Sequence, residues 1–221
     1  MKEVIILGCG PTHVECPYDK ETWGVNGAYA FAKRLDKLFF ADGHDQLLED
    51  IPNAYIIKRT GATIVLPSRY PEIVPAFQAE GIPIDIYPID EVMDKFRGTR
   101  FFSNTICYMV AYALLYGYQK IYFYGIDLMT NTTYVQEKGG VEYWMGIAQG
   151  IGAIDGVTEV INTQESATGK TWDGLMYGWY GDQERATIKP RLNAPWDLVR
   201  ESKDPPIAEF KKIGKDWVKQ I

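Results

Sequence analysis

The sequence predicts an α/β protein, a mostly parallel sheet with helices on both faces and a loop-rich C-terminal third. Three observations point there. Short apolar runs without polar alternation, beginning with Val4-Ile5-Ile6-Leu7, suit strands covered on both faces. These runs alternate with helical patterns up to residue 161, as in a parallel sheet built from strand–helix–strand units. The clearest such unit is a helix, a strand and a glycine in succession over residues 104–125.

After the first run, Trp23-Gly24-Val25 reads as a second strand and residues 37–41 as a third. Residues 54–57 and 63–66 read as the fourth and fifth. Ile84-Asp85-Ile86-Tyr87, bracketed by Pro83 and Pro88, reads as the next. A helix is expected over residues 104–116, because Ile106, Met109, Val110, Ala113 and Leu114 share one face. Gly117 is a natural stop for it. Residues 121–124 then form a strand ending at Gly125. A polar stretch over 130–140 reads as a loop that could close over a ligand. A helix over 141–150 would turn Val141, Trp144, Met145 and Ala148 inward, and residues 157–161 supply a last strand. Glycines, prolines and Trp172, Trp179 and Trp196 break the pattern over 162–206. An amphipathic helix over 207–220 would bury Ile207, Phe210, Ile213 and Trp217. The expected organisation is one α/β domain over 1–161, with residues 162–221 as a loop-rich extension and helix packed on it.

Composition narrows the function. The chain has 221 residues, 46% apolar and 24% charged, which is ordinary for a globular protein and excludes a disordered or fibrous one. A chain of this length can bury roughly 70% of its unfolded surface without disulfides. Its net charge of −6 lends no support to a dedicated nucleic-acid binder. The lysines at 211, 212, 215 and 219 read as one solvated helix face. No apolar run reaches the ~18 residues of a membrane span. The run Val4–Leu7 is also shorter than the ~7–15 residues of a signal sequence. A cytoplasmic protein with reduced thiols is therefore expected, with no membrane partner. Cys9, Cys16 and Cys107 have no paired spacing, and His13 and His44 are the only histidines. Cys9, His13 and Cys16 could supply only three ligands, so no metal site is expected.

Polar clusters fall just after expected strands, where an open α/β sheet places its ligand crevice. Gly8-Cys9-Gly10-Pro11-Thr12 follows the first strand, and its glycines would let backbone amides approach a phosphate. It lacks the third glycine of a dinucleotide fingerprint and the Lys-Ser/Thr ending of a P-loop. Asn26 follows the second strand and could read a ribose or base edge, or cap a helix. Asp42-Gly43-His44-Asp45 follows the third. It could hold a metal, supply a general base, or form a cap and turn before Gln46. Ser103-Asn104-Thr105 opens the long helix, where one residue caps and the others could face an anion. Gly125-Ile126-Asp127 closes the set.

Together these segments resemble the bacterial lipooligosaccharide sialyltransferases, which use CMP-sialic acid. The opening through Gly8-Cys9-Gly10-Pro11-Thr12 is similar to their strand followed by Gly-Asn-Gly-Pro-Ser. Asn26 stands where that family has a nucleotide-binding Asn. Asn104-Thr105-Ile106-Cys107-Tyr108-Met109 resembles their Thr-Ser-Gly-Val-Tyr-Met. The segment from Gly117 to Asp127 resembles Gly-Tyr-Lys-Glu-Ile-Tyr-Leu-Ser-Gly-Ile-Asp. The same blocks resemble hydroxymethylpterin pyrophosphokinase-like proteins. They also resemble small bacteriophage proteins that share the ending Val141-Glu142-Tyr143-Trp144-Met145-Gly146. The likeness covers about residues 1–45 and 101–150.

The resemblance implies a Rossmann-like, glycosyltransferase-A-type domain that binds a nucleotide or nucleotide sugar. By position it implies nucleotide contacts from Cys9, Gly10, Thr12, Asn26, Asn104 and Thr105. Tyr134 would match one of two tyrosines that hold the leaving phosphate. Three positions depart from the pattern: Cys9 replaces an Asn, Met129 stands at the second tyrosine, and no histidine follows His44.

The leading expectation is a glycosyltransferase-like enzyme, encoded by a phage and acting in the host cytoplasm if the phage likeness holds. Its donor would be a CMP- or UDP-linked sugar cradled by Gly8, Cys9, Gly10, Pro11, Thr12, Asn26, Ser103, Asn104, Thr105, Gly125 and Asp127. His44 or Asp42 would deprotonate a hydroxyl acceptor, a glycan or a modified DNA base. Tyr134 and Thr132 would steady the departing phosphate. Trp172, Trp179 and Tyr180 could stack on a sugar or cover the core. A second reading is pyrophosphoryl transfer from ATP to a hydroxymethyl compound, with Mg held by Asp42, Asp45 or Asp127. A third is a non-catalytic nucleotide-binding or virion-assembly module. A homo-oligomer is left open.

Overall fold

The computed structural model describes residues 1–126, 128, 132–162, 210–213 and 216–219. Seven strands form one sheet: β1 (Glu3–Leu7), β2 (Glu21–Val25), β3 (Lys37–Phe39), β4 (Thr63–Leu66), β5 (Ile84–Ile86), β6 (Lys120–Tyr124) and β7 (Glu159–Asn162). Their order is β5-β4-β3-β2-β1-β6-β7, and every pairing is parallel. The expected α/β class is therefore what the chain forms.

The period-two geometry of a strand sorts its side chains to two cores. Val4 and Ile6 of β1 join Trp23, Phe39 and Val65 on one face, beneath α4 (Ile89–Lys95), α5 (Thr105–Leu115) and α6 (Thr132–Asp155). Ile5 and Leu7 join Leu38, Ile64 and Leu66 on the other, beneath α1 (His44–Asp50), α2 (Ala54–Thr60) and α3 (Val74–Ala79). Trp23 is fully buried, with Phe39, Tyr112 and Tyr118 rings around it. Its indole N–H is satisfied by Glu21 Oε1 at 2.8 Å, as a buried Trp requires.

Three segments differ from expectation. Residues 54–57 are not a strand but the start of α2. A four-residue apolar run reads equally as either. Buried Ala54 and Ile57 lie three apart, and Gly61 at φ 80° ends the helix in the left-handed region. The helix expected over 141–150 extends in both directions as the 24-residue α6, taking in most of the polar stretch read as a loop. Two of its glycines serve packing here: a Cβ on Gly140 would overlap Ser103, and one on Gly152 would overlap the Thr158 carbonyl. The helix expected over 207–220 is not formed by its described residues. These are two strands, β8 (Phe210–Ile213) and β9 (Asp216–Lys219), paired antiparallel. They belong to the second of two compact units, Met1–Lys170 and Thr171–Ile221. Trp172, Trp179, Tyr180 and Trp196 lie outside the described residues. Among the described residues no helix is long and apolar enough to cross a membrane.

The strand order decides where a ligand can bind. From β1 the chain steps outward through β2 to β5, then returns to the other side of β1 for β6 and β7. The order reverses between β1 and β6. There the loops leaving the carboxyl ends of neighbouring strands diverge and open a crevice.

Candidate functional site

The crevice holds a cavity of about 560 Å³, within the size range of small-ligand sites. Its base is the crossing of the two glycine loops. The Gly8 N–H donates to the Tyr124 carbonyl at 2.8 Å, and the Gly10 N–H donates to the Gly125 carbonyl at 2.7 Å. The Thr12 hydroxyl accepts from the Gly125 N–H at 2.9 Å. A Cβ on either Gly8 or Gly125 would collide with the other loop's backbone, and Gly125 sits at φ 67°. These glycines are therefore required by the approach of β1 to β6. Two amides that the sequence reading assigns to a phosphate are spent within the protein. Thr12 is buried and braces the loop without lining the cavity. Gly8, Cys9, Gly10, Pro11 and Gly125 do line it. His13 is committed to the loop, its ring 2.9 Å from the Gly10 carbonyl and packed on Phe31.

The side walls come from β2 and α5. Asn26 leaves β2 in the left-handed region at φ 45°, which Asn tolerates better than most residues. Its Oδ1 accepts from the Thr105 hydroxyl at 3.3 Å. Residues 79 positions apart thus meet at one wall. Asn104 caps α5, its Oδ1 accepting from the Cys107 N–H at 3.2 Å, and its amide donates to Glu137 Oε2 at 3.3 Å. The Ser103 hydroxyl donates to the Glu137 carbonyl at 2.6 Å. Ser103, Asn104 and Thr105 all line the cavity, so the positive end of an 11-residue helix faces it.

The acidic cluster after β3 divides. Asp42 lines the cavity, and its Oδ2 is buried with no hydrogen-bond partner among the described residues. Burial pushes its carboxyl up, neighbouring Asp50 and Glu137 push it further, and Arg69 opposes them. His44 does not line the cavity. Its Nε2 lies 3.2 Å from Glu72 and its Nδ1 3.4 Å from Asp45, with the ring beside Tyr70. A helix start explains this: α1 begins at His44 and rotates it to the outer side, while Gln46 lines the cavity. Asp45, expected as a Mg ligand, is solvent-exposed and also off the cavity. Asp127 lies outside the described residues, as do the side chains of Thr132 and Tyr134, whose backbone forms the start of α6.

Two polar lining residues escaped the sequence reading, Gln46 and Glu137. Glu137 belongs to the stretch read as loop, so nothing placed it against α5. Val25, Ile106, Ile126 and Leu128 add an apolar lining that a sugar or base face could use. Among the described residues no lining residue is Lys, Arg or His. Among the described residues no group of three or more His, Cys, Asp or Glu is placed to hold a metal.

No family model matches the chain, and no curated protein matches it in sequence. Solved structures do. A variant of the sialyltransferase CST-II in complex with CMP is 15% identical, with a TM-score of 0.50, over 73% of this chain and 80% of that one. The sialyltransferase CstII from Campylobacter jejuni in complex with the substrate analogue CMP-3FNeuAc is 14% identical, with a TM-score of 0.48, over 86% and 99%. CST-II with a trisaccharide acceptor and CMP is 16% identical, with a TM-score of 0.43, over 85% and 99%. At this identity the likeness is one of fold. The chain shares its α/β fold with the sialyltransferase CST-II.

Proposed function

We propose that the protein is a glycosyltransferase-like enzyme whose donor is a CMP-linked sugar, bound in the β1/β6 crevice. One observation carries the reading: Asn26, Asp42, Asn104 and Thr105, from three separate segments, converge on one cavity at the switch point. The cavity's charge supports CMP over UDP. Among the described residues its lining holds two carboxylates, Asp42 and Glu137, and no basic side chain. The N-terminus of α5 is worth about half a positive charge. That suits the single negative charge of a CMP-sugar phosphodiester better than the two of a UDP-sugar. The CMP held by the sialyltransferase CST-II, which has a similar fold, agrees with this.

In the proposed reaction the acceptor oxygen attacks the anomeric carbon while the bond from that carbon to the phosphate oxygen breaks. CMP departs with the bonding electrons, and the acceptor proton passes to Asp42. Asp42 suits this role through its buried oxygen and raised carboxyl, since a base works best with a pKa moved toward the working pH. Asn26 and Thr105 hold the nucleoside end, the first amides of α5 receive the phosphate, and Glu137 fixes Ser103 and Asn104. Tyr134 and Thr132, on the first turns of α6, are proposed to steady the departing CMP, and His44 has no part in it.

Calorimetric titration with CMP, UDP and ATP tests the nucleotide. The reading expects one CMP per chain and weaker UDP, with CMP release from a CMP-sugar lost in Asp42→Asn. Equal affinity for all three, or binding of none, overturns it.

A further inference from the structure

A second cavity, of about 210 Å³, opens beyond the carboxyl ends of β3, β4 and β5, and neither the sequence motifs nor the donor site accounts for it. It adjoins the donor crevice through the chain itself. Ala41 lines the second cavity and the next residue, Asp42, lines the first. Arg69 locks this divide, one guanidinium nitrogen donating to the carbonyls of Ala41 and Asp42, each at 3.1 Å.

The lining has a definite chemistry. Tyr87 and Tyr108 meet edge-to-face at 5.3 Å, and the Tyr87 hydroxyl donates to the Tyr108 carbonyl at 2.9 Å, fixing one ring against α5. Val65 and Phe39 are buried beneath them. Ser68 and Arg69 are exposed residues at the rim, and among the described residues Arg69 is the one charged lining residue. A guanidinium is charged at every relevant pH, forms paired bonds to carboxylates and stacks on aromatic faces. A dry cavity of ~150 Å³ already accepts a benzene ring.

We propose that this cavity is the acceptor subsite and takes a flat aromatic ring carrying an anionic group, the ring against the tyrosine pair and the anion at Arg69. The assignment as acceptor rests on the donor reading above. The cavity's ligand class rests on its own lining. An acceptor so held would lie on the far side of the 41–42 divide, next to the base proposed to deprotonate it.

The experiment titrates the full chain, with and without CMP, against three probes followed by ligand-observed NMR. 4-Hydroxybenzoate carries ring and charge, 4-hydroxybenzamide the ring alone, and galacturonate the charge alone. The proposal expects 4-hydroxybenzoate to bind about fivefold more tightly than the amide, the margin of a charge-assisted bond over a neutral one. Galacturonate should bind at least as weakly as the amide. Arg69→Gln should erase the difference between the first two probes. Ser68→Trp, at an exposed rim position that leaves the core intact, should abolish both while CMP still binds. Equal binding of acid and amide by the wild-type protein overturns the proposal, as does binding of the acid that survives Ser68→Trp. Probe binding without CMP binding would remove the donor reading and leave the cavity's ligand class standing. CMP binding without probe binding does the reverse.

Discussion

Asp42→Asn separates stability from function at one carboxyl. In the native protein its Oδ2 is buried without a hydrogen-bond partner among the described residues, near the carboxylates of Asp50 and Glu137. A buried unsatisfied polar atom costs ~1–3 kcal/mol. The amide keeps the shape but removes the charge, so the variant should gain about 1 kcal/mol at pH 7, the low end because an amide also has groups to satisfy. The sign with pH follows from the direction of the shift. The folded carboxyl titrates above its unfolded value, so its ionisation costs the native state stability as pH rises from the unfolded value through the folded one. The variant's advantage should grow as pH rises and disappear below about pH 4, where the carboxyl is neutral in both states. Urea melts of both proteins from pH 3.5 to 7.5 measure this directly. Turnover should fall in the opposite sense, by ~10²–10⁴-fold, as for a lost general base. A variant less stable than the wild type at pH 7 would refute the reasoning, because Asp42 would then be a structural carboxylate rather than one held ready for a proton.

His44→Ala should leave CMP affinity and turnover within about twofold of wild type, since its ring faces Glu72 and Tyr70 outside the cavity; steady-state kinetics checks this. Asn104→Ala should cost about 1 kcal/mol from the lost α5 cap, seen in the urea midpoint. It should also weaken CMP by several-fold because the first turn of α5, proposed to receive the phosphate, loses its cap, which calorimetry measures. Gly125→Ala should cost at least ~2 kcal/mol, combining the left-handed conformation with the clash against Gly8, and thermal melts with circular dichroism would show it.

The sheet was legible because its strands are short apolar runs closed by polar punctuation, and β1, β4 and β6 carry no competing pattern. Convergence of the strand-end clusters was legible for the same reason: a parallel sheet brings all its carboxyl ends to one edge, so Asn26 and Thr105 meet despite their separation in sequence. Residues 54–57 were ambiguous because four apolar residues carry too little periodicity, and Gly61 decided the case through a backbone conformation. The start of α6 was hidden in the polar stretch read as a loop, and only the position of Ser103 shows why residue 140 is a glycine within a helix. Glu137 was lost with it. The glycine loop kept its place but changed its role, since the partners of its Gly8 and Gly10 amides lie on β6 and in the loop after it, beyond the reach of local sequence. His44 and Asp42 stand two residues apart, and only the register of α1 tells which of them enters the cavity.

A crystal structure of the protein soaked with CMP bears most directly on the central claim. The account predicts CMP in the β1/β6 crevice, its phosphate at the first turn of α5 and its nucleoside against Asn26. Density for CMP anywhere else on the molecule, or in that crevice with the phosphate turned away from Ser103 and Thr105, would contradict it.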